Sequence, residues 1–249
     1  MRKKILLGGL ILLMTTACGK RGALVYPDQL LPAAPSVLLL EQAEDKLRLT
    51  FSVPKRDRRD KPLQSPVQSM IMLKRTGCDA TDQPFVYLRS FDASEPGFDS
   101  QIVWIDENVQ PGDNCYQYRV GAVMKDEAFS SFRDTPVVTV HAPLAAPLIT
   151  VRPLFGSMVA IRLVNQTEPS SSDSTLAGFR LYRADDISKD DFIPLGVLTP
   201  AADEYVDENV QTGKTYQYKA RLIVKDKKSG IYRESGLSEV VSVVVQDAP

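Results

Sequence analysis

Short runs in which apolar and polar positions alternate recur along most of the chain. Leu47, Leu49 and Phe51 alternate with Arg48 and Thr50, and Tyr116, Tyr118 and Val120 alternate with Gln117 and Arg119. Val159, Ile161 and Leu163 alternate with Ala160 and Arg162 in the same way. A period of two sends successive side chains to opposite faces of an extended strand. Each run therefore predicts an antiparallel strand with one buried face. Turn residues separate the runs, and their density of about seven per hundred residues is that of a β-sandwich. No stretch carries a helical stripe.

The pattern occurs twice. DENVQPGDNCYQY at 106–118 returns as DENVQTGKTYQY at 207–218. APSVLLLEQAEDKLRLTF (34–51) aligns without a gap with APLITVRPLFGSMVAIRL (146–163). SMIMLKR (69–75) lies over AGFRLYR (177–183), FVYL (85–88) over FIPL (192–195), and VVTV (137–140) over VVSV (240–243). Trp104 and Tyr205 fall at matching positions, which favours a core or strand role for both. Units of about 100 residues are long enough for each to bury its own core. The division expected is a first unit at 34–142, a short proline linker at 143–147 and a second unit at 146–246. Pro143 and Pro147 restrict the joint, so the two units are expected to stand end to end as a semi-rigid rod.

The N-terminus follows different rules. Arg2, Lys3 and Lys4 precede the apolar run ILLGGLILLMTTA, which is too short to span a bilayer. Residues 1–17 thus predict a secretory signal peptide, and Ala17 followed by Cys18 resembles a bacterial lipobox, with Thr15 standing where that motif has a branched aliphatic residue. The resemblance implies cleavage before Cys18 and acylation of that cysteine, which would hold the protein stably on a membrane. A non-lipidated signal peptide or an uncleaved anchor helix is the other reading of the run. Gly19, in place of Asp, favours the outer membrane, facing the periplasm, if the envelope is Gram-negative. Residues 18–33 then form a flexible tether whose fifteen or so residues reach roughly 50 Å when extended. Its start, CGKRGALVYP, is also similar to the opening of a small outer-membrane lipoprotein family that helps assemble the lipopolysaccharide translocon.

Both units resemble fibronectin type III domains, an immunoglobulin-like all-β fold. LRLTFSVP (47–54) matches the second-strand signature of that family, with Phe51 in place of its tryptophan. GFRLYR (178–183) matches the third strand, and VQTGKTY (210–216) matches the turn into the sixth. The second unit lacks both the tryptophan and the proline of the second-strand signature. The resemblance makes Tyr216 the tyrosine-corner residue, with its ring in the core and its hydroxyl bonded to backbone. These motifs are structural and carry no activity.

In this fold the third and sixth strands are neighbours. The end of one, near Cys78, and the start of the other, at Cys115, therefore meet at the same pole, and a disulfide between them is expected in an exported chain, two free thiols or a metal pair being the other reading. The loop PKRDRRDKP (54–62) carries Lys55, Arg56, Arg58, Arg59 and Lys61 against Asp57 and Asp60. The topology puts it at the pole where the tether enters, so it either faces an anionic membrane or is a solvated loop. At the other end, Asp185, Asp186, Asp190, Asp191, Asp207 and Glu208 predict an acidic tip that steers a cationic partner or prevents aggregation.

Charge and chemistry narrow the function. A net charge of −1 and an isoelectric point near 6.0 give no electrostatic reason for nucleic-acid binding. The single histidine, His141, sits beside the linker and reads as structural. No phosphate loop, metal-spaced cluster, nucleophile elbow or cofactor motif occurs, and no exposed aromatic ladder stands out. The expectation is a non-enzymatic, membrane-anchored envelope lipoprotein that acts as a spacer or as an interaction module for a protein or glycan. The alternatives are an accessory factor in lipopolysaccharide transport or outer-membrane assembly, and a carbohydrate-binding module.

Overall fold

The computed structural model describes residues 26–79, 83–98, 101–112, 114–125, 127–165, 173–185, 191–200, 202 and 204–246. Residues 34–140 contribute eight strands, β1 (Leu38–Ala43), β2 (Lys46–Ser52), β3 (Val67–Thr76), β4 (Val86–Asp92), β5 (Gln101–Asp106), β6 (Cys115–Met124), β7 (Arg133–Asp134) and β8 (Val138–Thr139). One layer runs β1-β2-β5, and the other runs β4-β3-β6-β7 with β8 also on β6. Alternation decides the core: Leu47, Leu49 and Phe51 of β2 and Tyr118 and Val120 of β6 are fully buried between the layers.

The second half repeats this with β9 (Leu148–Leu154), β10 (Met158–Val164), β11 (Ser174–Ala184), β12 (Ile193–Leu198), β13 (Glu204–Asp207), β14 (Thr215–Asp226), β15 (Tyr232–Glu234) and β16 (Val241–Val244). Its layers are β13-β10-β9 and β12-β11-β14-β15, with β16 also on β14. Ile161, Leu181 and Tyr218 lie at the centre of a second, separate core. Both halves are fibronectin type III-like sandwiches, with three strands facing four and the last strand broken in two pieces.

The internal match is sharper than the alignment suggests. Trp104 sits opposite Leu49 and Tyr205 opposite Ile161, so those two aromatics are true counterparts. The third strand, however, is displaced by one residue. Lys74 pairs with Tyr118 and Arg183 with Tyr218, so Lys74, not Arg75, is the partner of Arg183 in the repeat. A one-residue slip reverses every side chain, and only Lys74 points to the same side as Arg183. The last strand slips by two: Val138 faces Tyr116 as Val243 faces Tyr216, so the counterpart of Val243 is Val138 and not Val140. A two-residue slip keeps the face and moves the rung. That is why hydrophobic pattern alone could not detect it.

The joint between the halves is more than a proline linker. β15 pairs antiparallel with β14 and also parallel with β1, with Glu41, Gln42 and Ala43 opposite Tyr232, Arg233 and Glu234. One layer of the second sandwich thereby continues into one layer of the first as a single eight-stranded sheet. Ile231 is buried in the first core. Gln42, almost fully buried, donates to the carbonyl of His141 at 2.7 Å and accepts from its N–H at 3.1 Å. Glu234, also buried, lies 3.3 Å from Arg48 of β2 and 2.8 Å from Arg180 of β11. Cross-strand hydrogen bonds and buried charge hold the joint, whereas proline alone limits only the linker's own backbone.

Part of the expected tether is also structured. Pro27–Leu30 forms one 3-10 turn, begun by proline where a missing N–H costs nothing. Pro32 bridges to Asp57, Ala33 donates its N–H to the carbonyl of Arg56, and Arg58 donates to that of Leu31. Residues 31–33 are therefore docked on the basic loop, directly after the 3-10 turn. Residues 1–25, including the signal run and Cys18, lie outside the described residues.

Candidate functional site

The repeated DENVQ phrase builds a buried polar network in each sandwich. In the first copy Asp106, only 1% exposed, accepts from the Tyr118 hydroxyl at 2.7 Å and from Lys74 Nζ at 2.7 Å. Lys74 also donates to the carbonyl of Asn108 at 2.9 Å, and the Asn108 N–H returns to Asp106 at 2.9 Å. In the second copy Asp207, again 1% exposed, accepts from Tyr218 at 2.9 Å and from Arg183 at 2.9 Å. Arg183 donates to the carbonyl of Asn209 at 3.0 Å, whose N–H bonds Asp207 at 3.0 Å. Tyr116 and Tyr216 each accept a backbone N–H at 3.0 Å, from Gln110 and Gln211, so the tyrosine corner is present in both copies.

An acid, a phenol and a cation in contact can resemble a catalytic set. Burial, then the charge of Asp106 or Asp207 beside it, raises the Tyr118 and Tyr218 hydroxyls far above the ordinary tyrosine value. Burial works against the charge on Arg183, but Asp207 and Asp185 outweigh it and hold the guanidinium above its ordinary value. These phenols remain protonated donors, and each buried charge is paired and hydrogen-bonded as a closed interior requires. The arrangement turns the chain into the sixth strand twice over.

That result corrects the expected acidic tip. Asp207 is an interior ion-pair residue and does not contribute to a surface field. Asp185 is exposed, with its carboxylate 2.6 Å from Arg183. Asp191 and Glu208 are exposed, while Asp186 and Asp190 lie outside the described residues.

The basic loop is built around one buried acid. Asp57, 3% exposed, accepts the N–H groups of Arg59 and Lys61 at 2.9 Å each and two bonds from the Arg59 guanidinium. Withdrawal from water opposes its charge, but the Lys61 and Arg59 donors outweigh that and hold the carboxyl below the usual range. Arg56 lies 3.5 Å from the exposed Asp60. Lys55, Arg58 and Lys61 are exposed and have no acidic partner among the described residues. Beside them runs an open groove of about 570 Å³, lined by Ala33, Val37, Val53, Pro54, Lys55 and Arg56 among others.

Cys78 and Cys115 form the expected disulfide, with Cα atoms 4.8 Å apart. His141 is half-exposed at the joint, its Nε2 3.5 Å from Asp226. Among the described residues no group of three or more His, Cys, Asp or Glu is placed to hold a metal.

One surface feature was missed by sequence reasoning. On the first sandwich Phe129 and Phe132 stack with centroids 6.4 Å apart and remain 47% and 41% exposed. The Arg119 guanidinium lies 4.1 Å from the Phe85 ring and 5.9 Å from Phe132. Phe132 covers Gly121, where an added Cβ would stand 2.7 Å from the ring. Tyr87 is 60% exposed. These aromatics come from separate strands and loops, so no run in the sequence displays them as a ladder. The nearest signal was a glycine inside the otherwise well-patterned β6.

No protein-family model and no curated protein matches the chain. Among solved structures it is similar to the crystal structure of the chicken CNTN1 FN1-FN3 domains. The identity is 16%, the TM-score is 0.46, and the match covers 87% of this chain and 68% of that one.

Proposed function

We propose that the protein is a non-enzymatic, membrane-anchored interaction module of a bacterial cell envelope, held by acyl chains on Cys18. Its fibronectin type III-like fold suits an interaction module. The observation that carries the proposal is the β1–β15 pairing, which fixes two sandwiches as one sheet. A spacer that presents loops to a protein or glycan needs a fixed relation between its units, and buried Glu234 and Gln42 supply it. Mass spectrometry of the mature N-terminus tests the anchor: diacylated or triacylated Cys18 is expected, and an unprocessed chain overturns it. In-cell crosslinking tests the interaction, with an envelope protein or glycan as the expected adduct and none as the contrary result.

Glycan binding is a second reading, favoured by exposed Tyr87, Phe129 and Phe132. Aromatic faces are natural contacts for sugar rings, and a sugar-panel assay with Phe132→Ser as comparison tests this reading: binding that the variant loses supports it, and no binding overturns it.

A further inference from the structure

We infer that the pole where the chain enters the first sandwich is built to lie on an anionic lipid surface, with Lys55, Arg58 and Lys61 as its contacting cations. The inference deepens the anchored reading, which supplies the nearby membrane, but its contact chemistry belongs to the loop itself.

Four observations support it. Two acids of the loop are already engaged: Asp57 is buried under Arg59, and Asp60 lies beside Arg56. The remaining three cations project to solvent with no acidic partner among the described residues. The loop is held in shape, because Asp57 closes it with the N–H groups of Arg59 and Lys61 and the docked segment at 31–33 adds backbone bonds. The chain's leader arrives at this pole: eight residues lie between Cys18 and Pro27, a span of at most roughly 30 Å. The docked segment thus brings the loop closer to any anchor at Cys18 than a free tether would.

The repeat supplies an internal control. The corresponding connection in the second sandwich, between β10 and β11, reads NQTEPSSSD over 165–173 and contains no lysine or arginine. The fold does not need cations at this connection, yet the copy next to the leader carries five. The groove beside Lys55 and Arg56, walled by Val37, Val53 and Pro54, adds an apolar margin suited to the headgroup–acyl boundary. Asp28 is the one acid on the adjoining 3-10 turn.

Residues 26–249 contain every residue of both cores, so this part is the folding unit and can be tested without the leader. The probe is a phosphatidylcholine vesicle with about one-third phosphatidylglycerol, compared with phosphatidylcholine alone, at low ionic strength. Binding to the anionic vesicle only is expected, weakening with salt. The triple variant Lys55→Ser, Arg58→Ser, Lys61→Ser is expected to lose on the order of 100-fold, because each close cation contributes up to about fivefold. A charge-matched control, Lys214→Ser, Lys225→Ser, Lys228→Ser, should bind like the parent. Equal loss in both triples, no loss in the first, binding to neutral vesicles, or abolition by inorganic phosphate at matched ionic strength overturns the inference. An unmodified Cys18 with intact vesicle binding would instead sink the anchored reading and leave this one standing.

Discussion

Glu234 of the second sandwich lies 3.3 Å from Arg48 of the first, with its carboxylate buried in the sheet that crosses the joint. Glu234→Ala should leave Arg48 and Arg180 facing each other without their shared acid. A loss of about 1–3 kcal/mol is expected, below the figure for a fully buried pair because both arginines retain some contact with water. Hydrogen exchange should locate the damage, with faster exchange across β1 and β15 and little change in either core. Unchanged protection at Gln42 and Arg233 would show that the joint does not depend on this acid.

The two interior ion-pair sets should behave as structure and not as chemistry. Asp207→Ala leaves Arg183 buried without its main partner, and Asp106→Ala does the same to Lys74, so each should cost about 3–5 kcal/mol. Tyr218→Phe and Tyr118→Phe remove one charge-assisted hydrogen bond each and should cost about 1.5–3 kcal/mol. Urea unfolding followed at probes in each sandwich checks this. The first-copy variants should weaken the first sandwich and the second-copy variants the second.

Reduction of the Cys78–Cys115 bridge opens a loop of 37 residues and should cost about 4 kcal/mol. The effect belongs to the first sandwich, because Thr215 occupies the place of Cys115 in the second. Denaturant unfolding with and without reductant should show one shifted and one unshifted transition. A shift in both would mean that the joint couples them.

Acid should loosen the joint. Burial and the neighbouring Arg233 charge lower the His141 pKa below its ordinary value, against the pull of Asp226 and Asp173. Burial opposes the charge on Asp226, but the Ser229 donors and His141 outweigh it and set its carboxyl below the usual range. Both folded values are depressed. The stability they confer is therefore full above the unfolded values and falls as pH drops, from about 6.5 for the histidine and from about 3.9 for the acid. NMR titration should place His141 below about 6.5, and His141→Gln should remove the upper part of the decline. A titration above that value would reverse the sign.

Much of the architecture was readable because burial follows a period of two. Leu47, Leu49 and Phe51 announced one face of β2, and Tyr216 and the Cys78–Cys115 pair followed from a recognised strand order. Asp207 was misplaced for a physical reason. An aspartate at the end of a strand looks the same whether it faces water or accepts a cation from another strand, and the cation, Arg183, comes from 24 residues away. The slip between Arg75 and Lys74 has a related cause, since similar letters at neighbouring positions conceal which one points inward.

The sequence by itself determined the alternating strands, their repetition and the two cores, because local alternation specifies them, and the resemblance to a known sandwich supplied the strand order that implied the disulfide. Only the tertiary structure decided the rest. The parallel pairing of β1 with β15, the burial of Glu234, the docking of 31–33 on the basic loop and the gathering of Phe85, Phe129 and Phe132 around Arg119 all join residues far apart in the chain. Such contacts depend on how surfaces meet after each sandwich has formed, and no local period encodes them.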